Sequence, residues 1–524
     1  MERPSGSTNF VERLPDRFFL ALALLIAVLS FWAATRHMSH SVWYDESQTA
    51  DIGHQRTLTG VTLSAMRERP YPPLFFYAVH ASLHFWDNEM GLRLPAAFFG
   101  ALAIVAVFYL GRKLADGPTG ALAALLFALT PGNFRYFADG NPYTLLALLS
   151  ALSMLYAFRA AHSGRVADWA VYAFFALLGL ATHALFVFHV AAQFCGAIYL
   201  MASVEGELRR SFKRPLAAFS TLGILWLLWV AAYRAHQGVG GHIDLSRLPH
   251  AGTLFVLAGM FVGPVSWGHL AQLGLWMLLA ATGALALFLQ SRQVFWFMAI
   301  VSTVSLIPIA LFVKATLPYV AYRYGLGVFP LACIVAAYAP KLRVRGEAAG
   351  WFCRPVAAKG AAYAVLAAYC IPGVIFLANA NATAFENQNW RDAARYVDSR
   401  AKSTDAIVLV HSWDTAPFHY YYRGGADCIT AADASDVPNL VSKAMARPGA
   451  PGRTVWILAG MFGNENSFVA RYTEFLKRDI PGQTERFIRA LNERGLSAEQ
   501  VVKFHRILIA RVTAGSAPAP PPSH

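Results

Sequence analysis

The chain reads as a series of apolar runs separated by short polar punctuation. Runs of about 17–22 residues recur over its first 380 positions, from "FFLALALLIAVLSFWAA" (18–34) to "GAAYAVLAAYCIPGVIFLAN" (360–379). A helix of that length crosses about 30 Å of hydrocarbon. The runs are continuously apolar rather than alternating, which excludes barrel strands, and only helices or closed barrels satisfy their backbone in lipid. The pattern predicts about 11 spans, at most 13: 18–35, 93–111, 118–131, 143–159, 168–182, 184–203, 216–233, 269–289, 294–313, 323–339 and 359–379. "GTLFVLAGMFVGPVSWG" (252–268) is broken by Pro264 and its glycines and is predicted to be interfacial or re-entrant.

From about residue 384 the pattern changes. "NWRDAARYVDSRAKSTDAIVLVHSW" (389–413) predicts a helix and then a short buried strand. "RTVWILAGMF" (453–462) predicts another strand, "GQTERFIRALNERG" (482–495) a helix, and "KFHRILIARV" (503–512) a closing strand. The expected fold class is a polytopic α-helical membrane protein with a C-terminal extracytoplasmic α/β domain. Its expected parts are a cytoplasmic tail (1–17), a transmembrane domain (18–383) with a long first outside loop (36–92), a soluble α/β domain (384–513) and a disordered Pro-rich tail (514–524).

Composition agrees with the pattern. Of 524 residues, 56% are hydrophobic and 14% charged, against about a quarter charged in a soluble domain. The net charge of +14 is explained by loop asymmetry rather than by nucleic-acid binding. With the N-terminus inside, the tail and inside loops hold about 17 Lys and Arg in roughly 65 residues, and the outside loops hold about 9 in more than 100. That bias puts the N-terminus in the cytoplasm and the C-terminal domain outside it. The five cysteines form no CxxC pair and read as buried thiols. HExxH, GxSxG, P-loop, GxGxxG and DxD motifs are all missing from the sequence.

The chemistry then rests on polar groups that the expected topology gathers outside. In "HSVWYDESQTADIGHQ" (40–55), Asp45 and Glu46 stand side by side just after the first span, with His54 nearby. They are either a solvated helix start, where acidic residues favour the dipole, or a proton-transfer pair. In "RYFADGNPYTLL" (135–146), Asp139 is either a turn residue or a second acid returned to the same face, with Tyr143 following it. Arg93 at the mouth of the second span either snorkels or binds phosphate. In "LPYVAYRYGLGVFP" (317–330), Arg323 and Tyr324 open the tenth span and offer a second phosphate anchor. His183, in "GLATHALFVF", is either a satisfied core histidine or, with carboxylates, a metal ligand.

"WYDESQTA", "PPLFFYAVH", "GLRLPAAFFGALAIVAVFYLGRKL", "GALAALLFALTPGNFRYFADGNPYTLLALL", "GLATHALFVF" and "YRYGLGVFP" occur here in the order of one family. Over residues 15–340 the chain resembles the C-type glycosyltransferases of the protein mannosyltransferase and aminoarabinose transferase kind. The resemblance implies transfer of a sugar from a polyprenyl-phosphate donor, with undecaprenyl phosphate the expected carrier, to a protein, lipid A or other glycan or lipid acceptor. It implies a bacterial inner-membrane enzyme acting on the periplasmic side with inversion. It makes Asp45 the base, with Glu46 beside it, and Asp139 a second acid. It assigns Arg93, Arg323 and Tyr324 to the donor phosphate, and places Tyr143, His183 and His54 in the cavity. Relatives often carry Arg where this chain has Asn141, and often Glu near the double proline, where this chain reads "RPYPPL". No cofactor is required, a divalent metal is an open possibility, and nucleic acid is no partner. A lipid transporter and a non-catalytic scaffold remain as alternatives.

Overall fold

The computed structural model describes residues 15–68, 71–203, 212–237, 270–316, 322–342, 355–379, 388–431, 436–446, 453–460, 492 and 497–513. The expected re-entrant element at 252–268 and most of the expected helix at 482–495 lie outside these. The chain divides into two compact units: Met1–Met38 with Ile52–Ala380, and Ser39–Asp51 with Asn381–His524. The first outside loop, expected as one element over 36–92, is therefore shared between them.

In the membrane unit the helices are α1 (Asp16–Thr35), α2 (Tyr44–Gly53, entering from the other unit), α3 (Leu58–Glu68), α4 (Leu74–Phe85), α5 (Glu89–Leu114) and α6 (Gly117–Leu129). They continue as α7 (Pro131–Phe134), α8 (Tyr143–Ser163), α9 (Val166–Leu180), α10 (Phe186–Ala202), α11 (Lys213–Gln237), α12 (Leu270–Gln290), α13 (Arg292–Thr316), α14 (Phe329–Ala337) and α15 (Pro355–Asn379). Among the described residues, seven helices are long and apolar enough to cross a membrane, and shorter apolar helices stand at the other expected spans. The chain is a multi-pass membrane protein.

Local sequence sets the helix ends. The Asn88 side chain accepts from the N–H groups of Met90 and Gly91 and starts α5, and Asp116 caps α6 through Thr119 N–H at 3.0 Å. Gly164 closes α8 in the left-handed region at φ 62°. Two contacts orient the first pair of spans. Arg112 pairs with Asp16 at 2.5 Å at one end, and Arg93 donates to the Met38 carbonyl at 2.6 Å at the other. α1 and α5 are thus antiparallel. Lys341, just after α14, pairs with Asp116 and belongs to the Arg112 end. Arg323, just before α14, belongs to the Arg93 end. α5 and α6 meet closely: a Cβ on Gly120 would come within 2.5 Å of the Phe108 carbonyl, and one on Gly111 within 2.8 Å of Gly120 Cα.

The second unit is built on a five-stranded sheet, β1 (Ala406–Leu409), β2 (Asp427–Thr430), β3 (Thr454–Gly460), β4 (Ser497–Phe504) and β5 (Ile507–Thr513), in the order β2-β1-β3-β5-β4. β2, β1 and β3 are parallel, and β5 runs antiparallel to β3 and β4. The expected single strand at 503–512 is a hairpin instead. Its apolar pattern hides a two-residue turn at His505–Arg506, where Arg506 takes φ 54°.

Period-two alternation gives the sheet two apolar faces. Ile407, Leu409, Trp456, Leu458, Ile507 and Ile509 pack with helices α16 (Trp390–Asp398) and α17 (Ser412–Tyr421). Val408, Val455, Ile457 and Val512 pack with α18 (Val437–Met445).

Candidate active site

The Arg93 end of the membrane unit gathers rings around one cation. Arg323 lies on the 3-10 turn Tyr322–Gly325, which the glycine and the following helix start hold in place. Its guanidinium stands 5.7 Å from the Tyr143 ring centre and 5.6 Å from that of Tyr324, within cation–π range of both. Tyr143, in the first turn of α8, meets Tyr136 edge-on at 5.0 Å and lies 6.0 Å from the His183 ring. The Tyr71 ring lies tilted against His183 at 4.6 Å. His183 Nδ1 accepts the Leu185 N–H at 3.1 Å, which puts the proton of the neutral ring on Nε2. Four sequence candidates, Arg323, Tyr324, Tyr143 and His183, are thus brought together. Tyr324 also packs against Leu185 and Ile309, so it is a wall as much as a ligand. Tyr71 and Tyr136 join them without having been singled out. Their place beside the double proline and the Asp139 turn was the available signal.

An apolar cavity of about 690 Å³ lies between α4, α5, α8 and α9. The three segments that give the cluster its rings also line the cavity within a few residues. Tyr71 leads to Leu74, Tyr143 to Leu145, and Leu178 to His183. The Leu74 N–H donates to the Ala181 carbonyl at 3.0 Å and locks two of these segments together. The lining continues through Phe99, Leu102 and Val105 to Tyr109, far along α5 towards its Arg112 end.

Asp139 is buried beside α5. A Cβ on Gly140 would meet the Leu92 side chain at 3.0 Å, so the turn packs tightly against the helix mouth. The Asn141 amide donates to the Asp139 carboxylate at 2.7 Å, so Asn141 serves the acid directly. Arg93 is fully buried, and one of its N–H groups goes to Met38 just before the Asp45 segment. His54 stands in an exposed pair with Asp87 at 2.7 Å. Among the described residues no three His, Cys, Asp or Glu side chains gather as a metal site.

Asp45 and Glu46 belong to the second unit, in the first turn of α2. Glu46 is fully buried, and Asp45 is partly buried. The adjacent pair is split by the helix turn, and Asp45 is the member that a substrate could reach. The Asp45 carbonyl accepts Thr49 Oγ1 at 3.1 Å, and the Tyr44 carbonyl accepts Ser47 Oγ at 2.8 Å, which stiffens that first turn.

Residues 70–233 match the family model of dolichyl-phosphate-mannose-protein mannosyltransferases. Over 203 residues, 36% of this chain, the sequence is 26% identical to dolichyl-phosphooligosaccharide-protein glycotransferase 1 of Pyrococcus furiosus, and the match spans about a fifth (21%) of that relative's length. The crystal structure of apo ArnT from Cupriavidus metallidurans superposes with a TM-score of 0.56 at 13% identity, over 94% of this chain and 97% of ArnT. The same protein bound to undecaprenyl phosphate gives 0.54 over 96% and 99%. With its apolar helix bundle followed by a sheet-containing C-terminal unit, the chain is built on the C-type glycosyltransferase fold, and its residues 70–233 carry the sequence pattern of the mannosyltransferase family.

Proposed function

We propose that the protein transfers a sugar from a polyprenyl-phosphate donor to a nucleophilic acceptor at the outer face of a bacterial inner membrane. One observation carries this reading: at the Arg93 end of the helix bundle the Arg323 guanidinium is set among the rings of Tyr143 and Tyr324, with His183 beside Tyr143, as a cationic seat for a lipid phosphate would be. The phosphate of a polyprenyl-phosphate donor matches Arg323, and the apolar helices around it suit the polyprenyl tail. The fold likeness to a protein crystallised with undecaprenyl phosphate supports the same donor class. The excess of Lys and Arg in the opposite loops supports the outer sidedness.

In this reading Asp45 takes the proton of the acceptor hydroxyl or amine as that atom attacks the anomeric carbon. The bond from that carbon to the phosphate oxygen breaks, and polyprenyl phosphate leaves with the electron pair. A single displacement inverts the sugar carbon. Arg323 holds the developing phosphate charge, which a guanidinium does well in a partly desolvated place. Arg93, buried and joined to Met38, holds the entry to the Asp45 segment, and Arg323 is the better first contact for phosphate. Asp139 orients the acceptor or supports the base. Tyr143, Tyr324 and His183 shape the surroundings of Arg323.

The test uses full-length protein in lipid nanodiscs with a panel of radiolabelled polyprenyl-phosphate sugars and candidate acceptors. Release of free polyprenyl phosphate from one donor, lost in Asp45→Asn, is expected. Tight donor binding with no release, unchanged by Asp45→Asn, would overturn the transferase reading in favour of lipid transport.

A further inference from the structure

The segment that carries Asp45 is held from a point some 350 residues later in the chain. Ser39–Asp51 belongs to the same compact unit as the C-terminal sheet. Its anchors come from two helices. At the start of α16, Trp390 is fully buried in the sheet's core cluster, and Asn389 caps the helix by accepting the Asp392 N–H at 3.1 Å. Those two features fix Arg391 between them. Its backbone N–H donates to Ser41 Oγ at 3.1 Å, and its Nη2 donates to the carbonyls of Ser39 at 2.7 Å and His40 at 3.2 Å. At the end of α17, the Tyr421 hydroxyl accepts the Val42 N–H at 2.8 Å. The Arg391 guanidinium lies over the Tyr421 ring at 5.6 Å, which ties the two anchors to each other.

Four consecutive residues, Ser39–Val42, are thus fixed at the backbone or at a hydroxyl immediately before α2, whose first turn presents Asp45. A short segment ahead of a helix sets the helix's direction, and with it the aim of a carboxylate in the first turn. Polar anchors rather than apolar ones suit a segment that must leave Asp45 within reach of substrate. A base must stand within about 3 Å of the proton it takes, so a small error in that aim is costly.

We propose that Arg391 and Tyr421 are positioning residues for Asp45, and that the C-terminal unit is thereby part of the catalytic apparatus rather than an appended module. The proposal rests on the assignment of Asp45 as the base.

The experiment compares wild type, Arg391→Ala, Arg391→Lys, Tyr421→Phe and Asp45→Asn as full-length protein in nanodiscs, with two readouts. The first is backbone hydrogen exchange of residues 40–47, with β1 as the control for an intact sheet. The second is kcat and donor KM on the polyprenyl-phosphate sugar that wild type consumes. In Arg391→Ala, exchange at 40–47 is expected to rise about ten- to a hundredfold with β1 unchanged, and kcat to fall by a similar factor at unchanged donor KM. Arg391→Lys restores much of both, because one ammonium can reach the two carbonyls that Nη2 bridges. Tyr421→Phe, the milder change, leaves Val42 N–H without its acceptor and shows the same pattern at smaller size. Unchanged exchange at 40–47 in both Arg391→Ala and Tyr421→Phe, or raised exchange with unchanged kcat, would overturn the proposal. If Asp45→Asn keeps full activity, the base assignment fails by itself. The exchange arm still reports whether Arg391 holds the segment.

Discussion

The two units treat their acidic candidates in opposite ways. In the membrane unit Asp139 is buried and served from two residues away, by Asn141, in a turn that Gly140 fits against Leu92. In the C-terminal unit Asp45 is only partly buried, and the segment before it is anchored from Arg391 and Tyr421. A carboxylate held by its neighbours is made for a fixed charge. One whose mounting is distant and polar can be aimed without being enclosed. Under the proposed function, the contrast fits proton transfer by Asp45 and orientation by Asp139.

The sharpest way to break that contrast is to neutralise each acid in turn. Asp45→Asn is expected to lower kcat by about 10²–10⁴-fold, the usual range for losing a general base. Asp139→Asn, which keeps an oxygen for the Asn141 amide, should cost no more than about tenfold. Equal losses in a steady-state assay would remove the division of roles. Next in size, Arg323→Ala should raise donor KM by about ten- to a hundredfold, the worth of a charge-assisted contact, with a smaller change in kcat. A loss confined to kcat would move Arg323 from ground-state donor binding to a contact made only in the transition state.

Much of this was legible in the sequence, for physical reasons that differ by region. The spans follow from unbroken apolar length. The clustering of Arg323, Tyr324, Tyr143 and His183 follows from counting spans, because each stands at the same end of its run. The C-terminal hairpin was hidden because an apolar strand pattern runs through its turn, and Arg506 is not a residue that announces a left-handed φ. Arg391 was invisible for a deeper reason. In "NWRDAARYVD" it is one charged residue near the start of an amphipathic helix, and nothing local tells a solvated arginine from one bonded to Ser39 and His40. The split of Asp45 from Glu46 was equally out of reach, since it depends on which side of α2 is covered.

Stability offers a milder test of the same contrast. Asp139→Ala leaves the fully buried Asn141 amide without the acceptor it has at 2.7 Å, at a cost of about 1–3 kcal/mol. Faster hydrogen exchange over 139–146 would show it. Asp139→Asn should recover most of that loss. If it does not, the charge of Asp139, and not only its oxygen, holds the turn.

A third acid sharpens the comparison at the smallest scale. Asp414, at the start of α17, is fully buried, and its Oδ2 accepts the Gly460 N–H at 3.0 Å and His411 Nδ1 at 3.1 Å. A Cβ on Gly460 would come within 2.3 Å of its Oδ1, so glycine is required at the end of β3. Burial pushes the Asp414 carboxyl above its ordinary value of 3.8, and the His411 and Gly460 contacts oppose that only in part. A carboxyl raised in the folded state favours the fold while it is protonated. Its contribution is present below pH 3.8 and is lost as pH rises through the folded value. Asp414→Asn removes that titration. The difference in stability between Asp414→Asn and wild type should therefore shift towards the variant as pH rises from about 4, by at most about 1.4 kcal/mol per pH unit. Exchange of the β1 amides in the full-length protein reads it. A flat difference across that range would mean that His411 and Gly460 offset the burial completely. Asp414 would then resemble Asp139, a buried carboxylate steadied by a nearby donor.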